Sequence, residues 1–162
     1  MTSVNDQQIH VLNGLISITL DSAAGYAEAA KDAKNPHFKS MFGARAIERR
    51  QIAAELKVEV RGLGGEPTDD GTLLAAGHRM FLNLKSALTG SDEGVVNEVE
   101  SGEDHIKSKY ESSLKEDCLS APIKLVVAKA YNAVKSEHDD IRDLKHDLAA
   151  RAATNSGVDA SL

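Results

Sequence analysis

Apolar residues recur every three or four positions along most of this chain, which is the spacing of one face of an α-helix. Leu12, Leu15 and Ile16 show the pattern near the N-terminus. Turn-forming residues divide it into four long helices and one short helix, which we predict over residues 6–32, 36–63, 72–88, 92–115 and 120–151. The sequence therefore predicts an all-α protein.

Residues that favour helix ends lie at these predicted boundaries. Asn35 can cap the second helix, and Pro36 suits its first position because the missing N–H of proline has no helical partner there anyway. Gly64 and Gly65 are expected to end the same helix. Ser91 can cap the third long helix.

The helix lengths favour one topology. At a rise of about 1.5 Å per residue, each long helix spans roughly 36–45 Å. Short turns join the first two long helices and the last two, so each pair is expected to form an antiparallel hairpin. The predicted helix over residues 72–88 lies between the pairs and could climb back along them. We therefore predict a ferritin-like antiparallel four-helix bundle with a short crossover helix between its second and third long helices.

Length and composition limit the class of protein. The 162 residues fit one domain, predicted over residues 1–153, and the small polar residues 154–162 are expected to form a flexible tail. The formal net charge of −6 argues against nucleic acid as a partner, since a phosphate-binding surface needs a basic stripe. Residues 1–20 lack the features of a signal peptide, and no apolar run approaches a membrane span. A cytoplasmic protein is therefore expected.

Several acidic residues and one histidine lie on or beside the predicted apolar faces. Burying a carboxylate or an imidazole costs several kcal/mol unless the group is paired, protonated or bound to a metal. The candidate metal ligands are Asp21, Glu48, Glu55, Glu100, Glu103 and His138. Carboxylates and an imidazole from different helices would suit a divalent cation such as iron, manganese or zinc.

The loop positions predict which of these residues lie at the same height. If the crossover helix returns the chain to its starting end, Asp21, Glu48, Glu103 and His138 share one level. Without that return, Glu55, Glu103 and His138 would be level instead. Either arrangement brings acids and a histidine together in the core.

The usual di-iron motif is absent, because no glutamate is followed by a histidine three residues later. The absence weakens the inference of a complete two-metal oxidase. The alternative is a buried ion-pair network that fixes the helix register without a ligand. Its expected pairs are His138 with Glu103, and Asp21 with Arg49 or Arg50.

Short segments of the chain resemble an uncharacterised bacterial family of ferritin-like bundles, described as a domain of unknown function. The segments are Leu12-Asn13-Gly14-Leu15-Ile16, Asp21-Ser22-Ala23-Ala24-Gly25-Tyr26, Arg50 to Leu56, Leu63-Gly64-Gly65-Glu66-Pro67, Gly77-His78-Arg79 and Glu100-Ser101-Gly102-Glu103-Asp104. The resemblance covers about residues 7–145. It implies a ferritin-like fold and a bacterial source, and a stress-related role is sometimes supposed for such bundles.

The sequence therefore supports two alternative functions from different classes. The first is a ferritin-like protein with an atypical carboxylate and histidine metal site, acting in metal handling or stress response; an oxidase is a weaker variant of it. The second is a non-catalytic helical structural or interaction module. No nucleophile elbow, P-loop or zinc-type cysteine spacing assigns a catalytic or cofactor-binding residue. For either function we expect a homodimer.

Overall fold

The computed structural model describes residues 2–69 and 83–159, and the regular secondary structure among them is entirely helical. Four long helices occupy Val4–Asp32 (α1), Pro36–Gly62 (α2), Asp92–Leu114 (α3) and Ala121–Asp159 (α4). The predicted all-α class is confirmed. Residues 83–87 are also helical, while residues 72–82 of the predicted crossover helix, including His78, lie outside the described residues.

The helices begin where side chains replace missing backbone partners. Ser3 Oγ accepts a hydrogen bond from Asp6 N at 3.0 Å, and Asp6 Oδ2 accepts one from Ser3 N at 3.2 Å, so the two residues form a capping box for α1. The predicted caps of α2 and α3 are confirmed. Asn35 and Ser91 each accept a backbone hydrogen bond from the first turn of their helix, at 2.9 Å and 3.2 Å.

The last helix is longer than the sequence predicts. We expected it to end near Arg151, but α4 continues to Asp159. Four alanines between positions 149 and 153 have high helix propensity and carry the helix past the expected end.

Buried apolar side chains form two clusters. The Leu15 cluster consists of Leu12, Leu15, Ile16, Ile52, Leu56, Val60, Ile106, Tyr110, Leu119, Ile123, Val127, Ala130 and Val134. The Phe42 cluster consists of Tyr26, Ala29, Ala33, Phe38, Phe42, Ala46, Leu84, Val95, Val96, Val99 and Ile141. Full burial of one Leu or Phe side chain stabilises a fold by about 1.5–3 kcal/mol, so both clusters contribute substantially.

Buried polar residues separate the two clusters along every long helix. Each helix has at least one such residue between the clusters, among them Ser22 on α1, Arg49 on α2, Glu103 on α3 and Glu137 on α4. Helix α1 packs against α2 and α3, and α4 packs against α2 and α3. The packing therefore brings the four polar positions toward one another between two apolar regions.

The end of α2 depends on a glycine with a left-handed backbone. Gly64 has a φ of 83°, which a residue with a side chain rarely adopts. We expect Gly64→Ala to lower the free energy of unfolding by about 1 kcal/mol, because a Cβ is strained in this region. Urea unfolding followed by circular dichroism measures the change. Gly62→Ala is the control, since its Cβ would meet nothing within 4 Å and its φ is not positive; equal midpoints for the two variants would contradict the argument.

Candidate functional site

Arg49 is the centre of the buried polar region. Its side chain is fully buried. Nη1 donates to Ser22 Oγ at 3.3 Å, and Nη2 donates to the two carboxylate oxygens of Glu103 at 2.9 Å and 2.7 Å. Nε donates to Glu137 Oε2 at 3.2 Å, and Nη2 donates to the same oxygen. One guanidinium from α2 thus bonds to a residue from each of the other three long helices.

Arg45 lies one helical turn before Arg49 and adds a second buried cation. Its Nη1 donates to Tyr26 Oη at 3.2 Å and lies 3.6 Å from Glu103 Oε1, while Nη2 donates to the backbone oxygen of Glu137 at 2.9 Å. Tyr26 in turn donates its hydroxyl hydrogen to Glu103. We call this group the Arg49 layer and define it as Ser22, Tyr26, Arg45, Arg49, Glu103 and Glu137.

The charges of the layer support one another despite their burial. Burial lowers the pKa of Arg49, but the Glu103 carboxylate beside it has the opposite effect, and the net shift is upward. Burial and then Glu103 raise the pKa of Tyr26, so the phenol keeps the proton that it donates. The Cζ atoms of Arg45 and Arg49 lie 5.7 Å and 5.8 Å from the centre of the Tyr26 ring, within the range of cation–π attraction.

Glu137 is the member of the layer that titrates near neutral pH. Burial, followed by a hydrogen bond with Glu48, raises its pKa to about 7, although Arg49 acts in the opposite direction. The Glu137 side chain is only 10% exposed, so water does little to stabilise its charge. The layer therefore gains a negative charge as the pH passes through neutrality.

The predicted site residues on the first two helices do not share one environment. Asp21 is buried, and Glu48 is half-buried beside Glu137. The prediction that Glu55 faces the core was wrong: its side chain is 54% exposed, and Oε2 lies 3.6 Å from Lys129 Nζ. Six residues separate Glu55 from the buried Arg49, which at about 100° per residue places Glu55 about 120° around α2, away from the core.

The predicted residues on the other two helices divide in the same way. Glu103 is buried at the centre of the layer, whereas Glu100 is half-buried, with Oε2 3.3 Å from Lys145 Nζ. His138 is 9% exposed, and its Nε2 lies 2.5 Å from Asp104 Oδ1. The predicted partner of His138 was therefore wrong, since Asp104 takes the place that we assigned to Glu103.

No set of possible metal ligands gathers within residues 2–69 and 83–159. In these ranges no group of three or more histidine, cysteine, aspartate or glutamate side chains is arranged to hold a metal ion. The six predicted ligands accordingly do not form one ligand group there.

Arg45 and Glu137 are site residues that the sequence prediction did not assign to the site, and it named Arg49 only as a possible partner of Asp21. A signal for the arginines is present, because Phe42, Arg45 and Arg49 follow one another at intervals of three and four and continue the apolar face of α2. A basic residue at such a position indicates a buried charge that needs an acidic partner.

The described helices provide no candidate for crossing a membrane, since none combines sufficient length with sufficient apolar character.

Comparisons with known proteins give one family. A family profile described as a domain of unknown function (DUF2383) matches residues 7–116. A comparison with curated proteins finds no match. The matched range contains both arginines of the layer and Glu103 and ends before Glu137. The expected resemblance to a domain of unknown function is thereby confirmed.

Proposed function

The chain belongs to the DUF2383 family of domains of unknown function, and we propose that it is a non-catalytic helical structural or interaction module organised by the Arg49 layer. One observation carries the proposal: the Arg49 guanidinium bonds to Ser22, Glu103 and Glu137, one from each of the other long helices. A cation of the chain itself thus occupies the position between the buried carboxylates. The layer fixes how the four helices lie against one another.

We also propose the ferritin-like bundle with a crossover as the arrangement of these helices. The support is the order in which each helix meets the two clusters. Along α1 and α4 the Leu15 cluster comes first and the Phe42 cluster last, and along α2 and α3 the order is reversed. Helices α2 and α3 therefore run the same way, so the segment between them must return the chain to its starting end.

The Arg49 layer can fix the register of the helices, that is, the height of each helix relative to its neighbours. Each buried charge has a partner of opposite charge or a hydrogen-bond donor at a defined height. A shift of α2 by one turn would move either Arg49 into the Leu15 cluster or Arg45 into the Phe42 cluster, depending on its direction, and an unpaired charge there costs several kcal/mol. The correct register is therefore favoured over its neighbours.

The same chemistry is a poor fit for a divalent cation. Glu103 already accepts bonds from Arg49 and Tyr26, and Arg45 lies close by. Two guanidinium groups would repel a metal ion brought between these carboxylates. We therefore prefer the structural module to the metal site as the function of this chain.

The variant Glu103→Gln separates the two functions when stability is measured with chelator present. A structural network predicts a loss of about 3 kcal/mol, because the variant leaves Arg49 and Arg45 without their shared carboxylate. A metal site predicts no loss or a gain, since its clustered carboxylates repel one another without the ion. Chemical denaturation measures the difference. Asp143→Asn, which changes a 70% exposed carboxylate, is the control and should have little effect.

Binding of iron, manganese or zinc stays a prediction with its own measurement. Thermal unfolding of chelator-treated protein is repeated after addition of Fe(II), Mn(II) or Zn(II). Under the proposal none of these ions raises the midpoint. An increase of the midpoint that is seen in wild type and is absent from Glu103→Gln would contradict the proposal and favour the metal site.

A further inference from the structure

The outer face of α2 carries an apolar stripe with coiled-coil spacing. The stripe consists of Ala44, Ile47, Gln51, Ala54 and Val58, which are all exposed and of which only the central Gln51 is polar. Ile47 and Val58, at 58% and 61%, are two of the four large apolar side chains that are exposed among the described residues. The intervals of three, four, three and four are those of the a and d positions of a two-stranded coiled coil.

The two edges of the stripe carry opposite charges. At 100° per residue, Glu48, Glu55 and Glu59 fall on one edge. By the same geometry Arg50, Lys57 and Arg61 fall on the other edge, where Lys57 is only 19% exposed and its Nζ lies 3.7 Å from Asp69 Oδ1 of the same chain. Of these residues, Glu48 and Glu55 fall at e positions and Arg50 and Lys57 at g positions of a coiled coil, where charge sets partner choice and direction.

We propose that α2 packs in parallel against α2 of a second copy of this chain, around a two-fold axis that follows the stripe. The inference does not rest on the Arg49 layer, which lies on the opposite face of α2. A parallel two-fold pair places the acidic edge of each copy against the basic edge of the other, with Arg50 facing Glu55 of the second copy. An antiparallel pair would place acid against acid and base against base. The charges therefore favour a second copy of this chain as the partner, with the two α2 helices parallel.

The apolar part of the stripe is short, which sets the strength of the association. Fifteen residues from 44 to 58 span roughly 22 Å of helix. Interfaces below about 1,200 Å² are typical of weak complexes. We therefore expect a monomer and a dimer in concentration-dependent equilibrium.

Sedimentation equilibrium over about a hundredfold range of concentration tests the association. Val58→Glu should weaken dimerisation at least about tenfold, because it places like charges opposite each other at the two-fold axis. Val4→Glu is the matched control, since Val4 is 62% exposed on α1 and lies away from the stripe. Circular dichroism confirms that both variants stay folded. A wild-type monomer at every concentration, or equal weakening by both variants, would overturn the proposal.

Exchanging the edge charges tests the direction. Arg50→Glu and Glu55→Arg should each weaken the dimer, and the double variant should restore it, because the exchanged pair is again complementary between copies. The contact of Glu55 with Lys129 of its own chain cannot explain such a restoration. Failure of the double variant to recover at least part of the association would contradict a parallel pair.

Cross-linking gives a second test of direction. In a Cys118→Ser background, Ala44→Cys should form a disulfide between two copies, since equivalent a positions of a parallel pair lie within disulfide reach. Antiparallel packing centred on Gln51 would instead bring position 44 near position 58. A mixture of Ala44→Cys and Val58→Cys chains that cross-links only to each other would overturn the parallel arrangement.

Discussion

Replacing Arg49 with methionine is expected to lower the free energy of unfolding by about 3–5 kcal/mol, which is the usual cost of breaking a buried ion pair from one side. The variant leaves Glu103 and Glu137 buried with only Arg45 to balance them. Urea unfolding at pH 7 measures the loss. Arg151→Met is the matched control, because it makes the same chemical change at an exposed position on α4 and should stay within about 0.5 kcal/mol of wild type.

A multiple-mutant comparison identifies the origin of that loss. If uncompensated carboxylates cause it, then Arg49→Met should cost less when Glu103→Gln and Glu137→Gln are already present. Equal costs in the two backgrounds would contradict the electrostatic argument. They would indicate that Arg49 stabilises the fold by the packing of its hydrocarbon chain.

Raising the pH is expected to lower the free energy of unfolding, because Glu137 loses its proton. The pKa of this group is about 7 in the folded chain, against an ordinary value of 4.5. Between these values the folded state holds a proton that the unfolded state has released. The stabilisation from this proton is complete below about pH 4.5 and is lost as the pH rises to about 7. A shift of this size corresponds to about 3 kcal/mol.

The measurement compares wild type with Glu137→Gln from pH 4 to pH 8. Other carboxylates titrate over the same range in both proteins, so only the difference between the two profiles reports on Glu137. Wild type should lose about 3 kcal/mol relative to the variant as the pH rises. Asp140→Asn, an exposed substitution three residues away, should leave the wild-type profile unchanged. Parallel profiles for wild type and Glu137→Gln would show that the acid does not titrate in this window.

Local features of the fold could be predicted from the sequence because they depend on neighbouring residues. The helical spacing gave the all-α class, and the cap at Asn35 depends on a side chain two residues from its partner. The burial of Glu103 was also predictable, since it lies between apolar positions on one face. These features need no knowledge of how the helices are rotated against one another.

The partners of the buried charges could not be predicted in the same way. Glu103 and Asp104 differ by one residue, which is about 100° around the helix, and a modest rotation of α3 decides which of them meets His138. The outward direction of Glu55 was missed for a similar reason, since it lies near the border between two faces. Arg49 was considered only as a partner of Asp21, because a basic side chain is most often found at the surface.

The Arg49 layer also divides its charges between the two halves of the chain. Both of its guanidinium groups come from α2, and its two carboxylates come from α3 and α4. An isolated α1–α2 hairpin would have two cations on its inner face, and an isolated α3–α4 hairpin would have two acids. Each half is therefore electrostatically incomplete, and the attraction between them favours their docking with Arg49 at the level of Glu103 and Glu137.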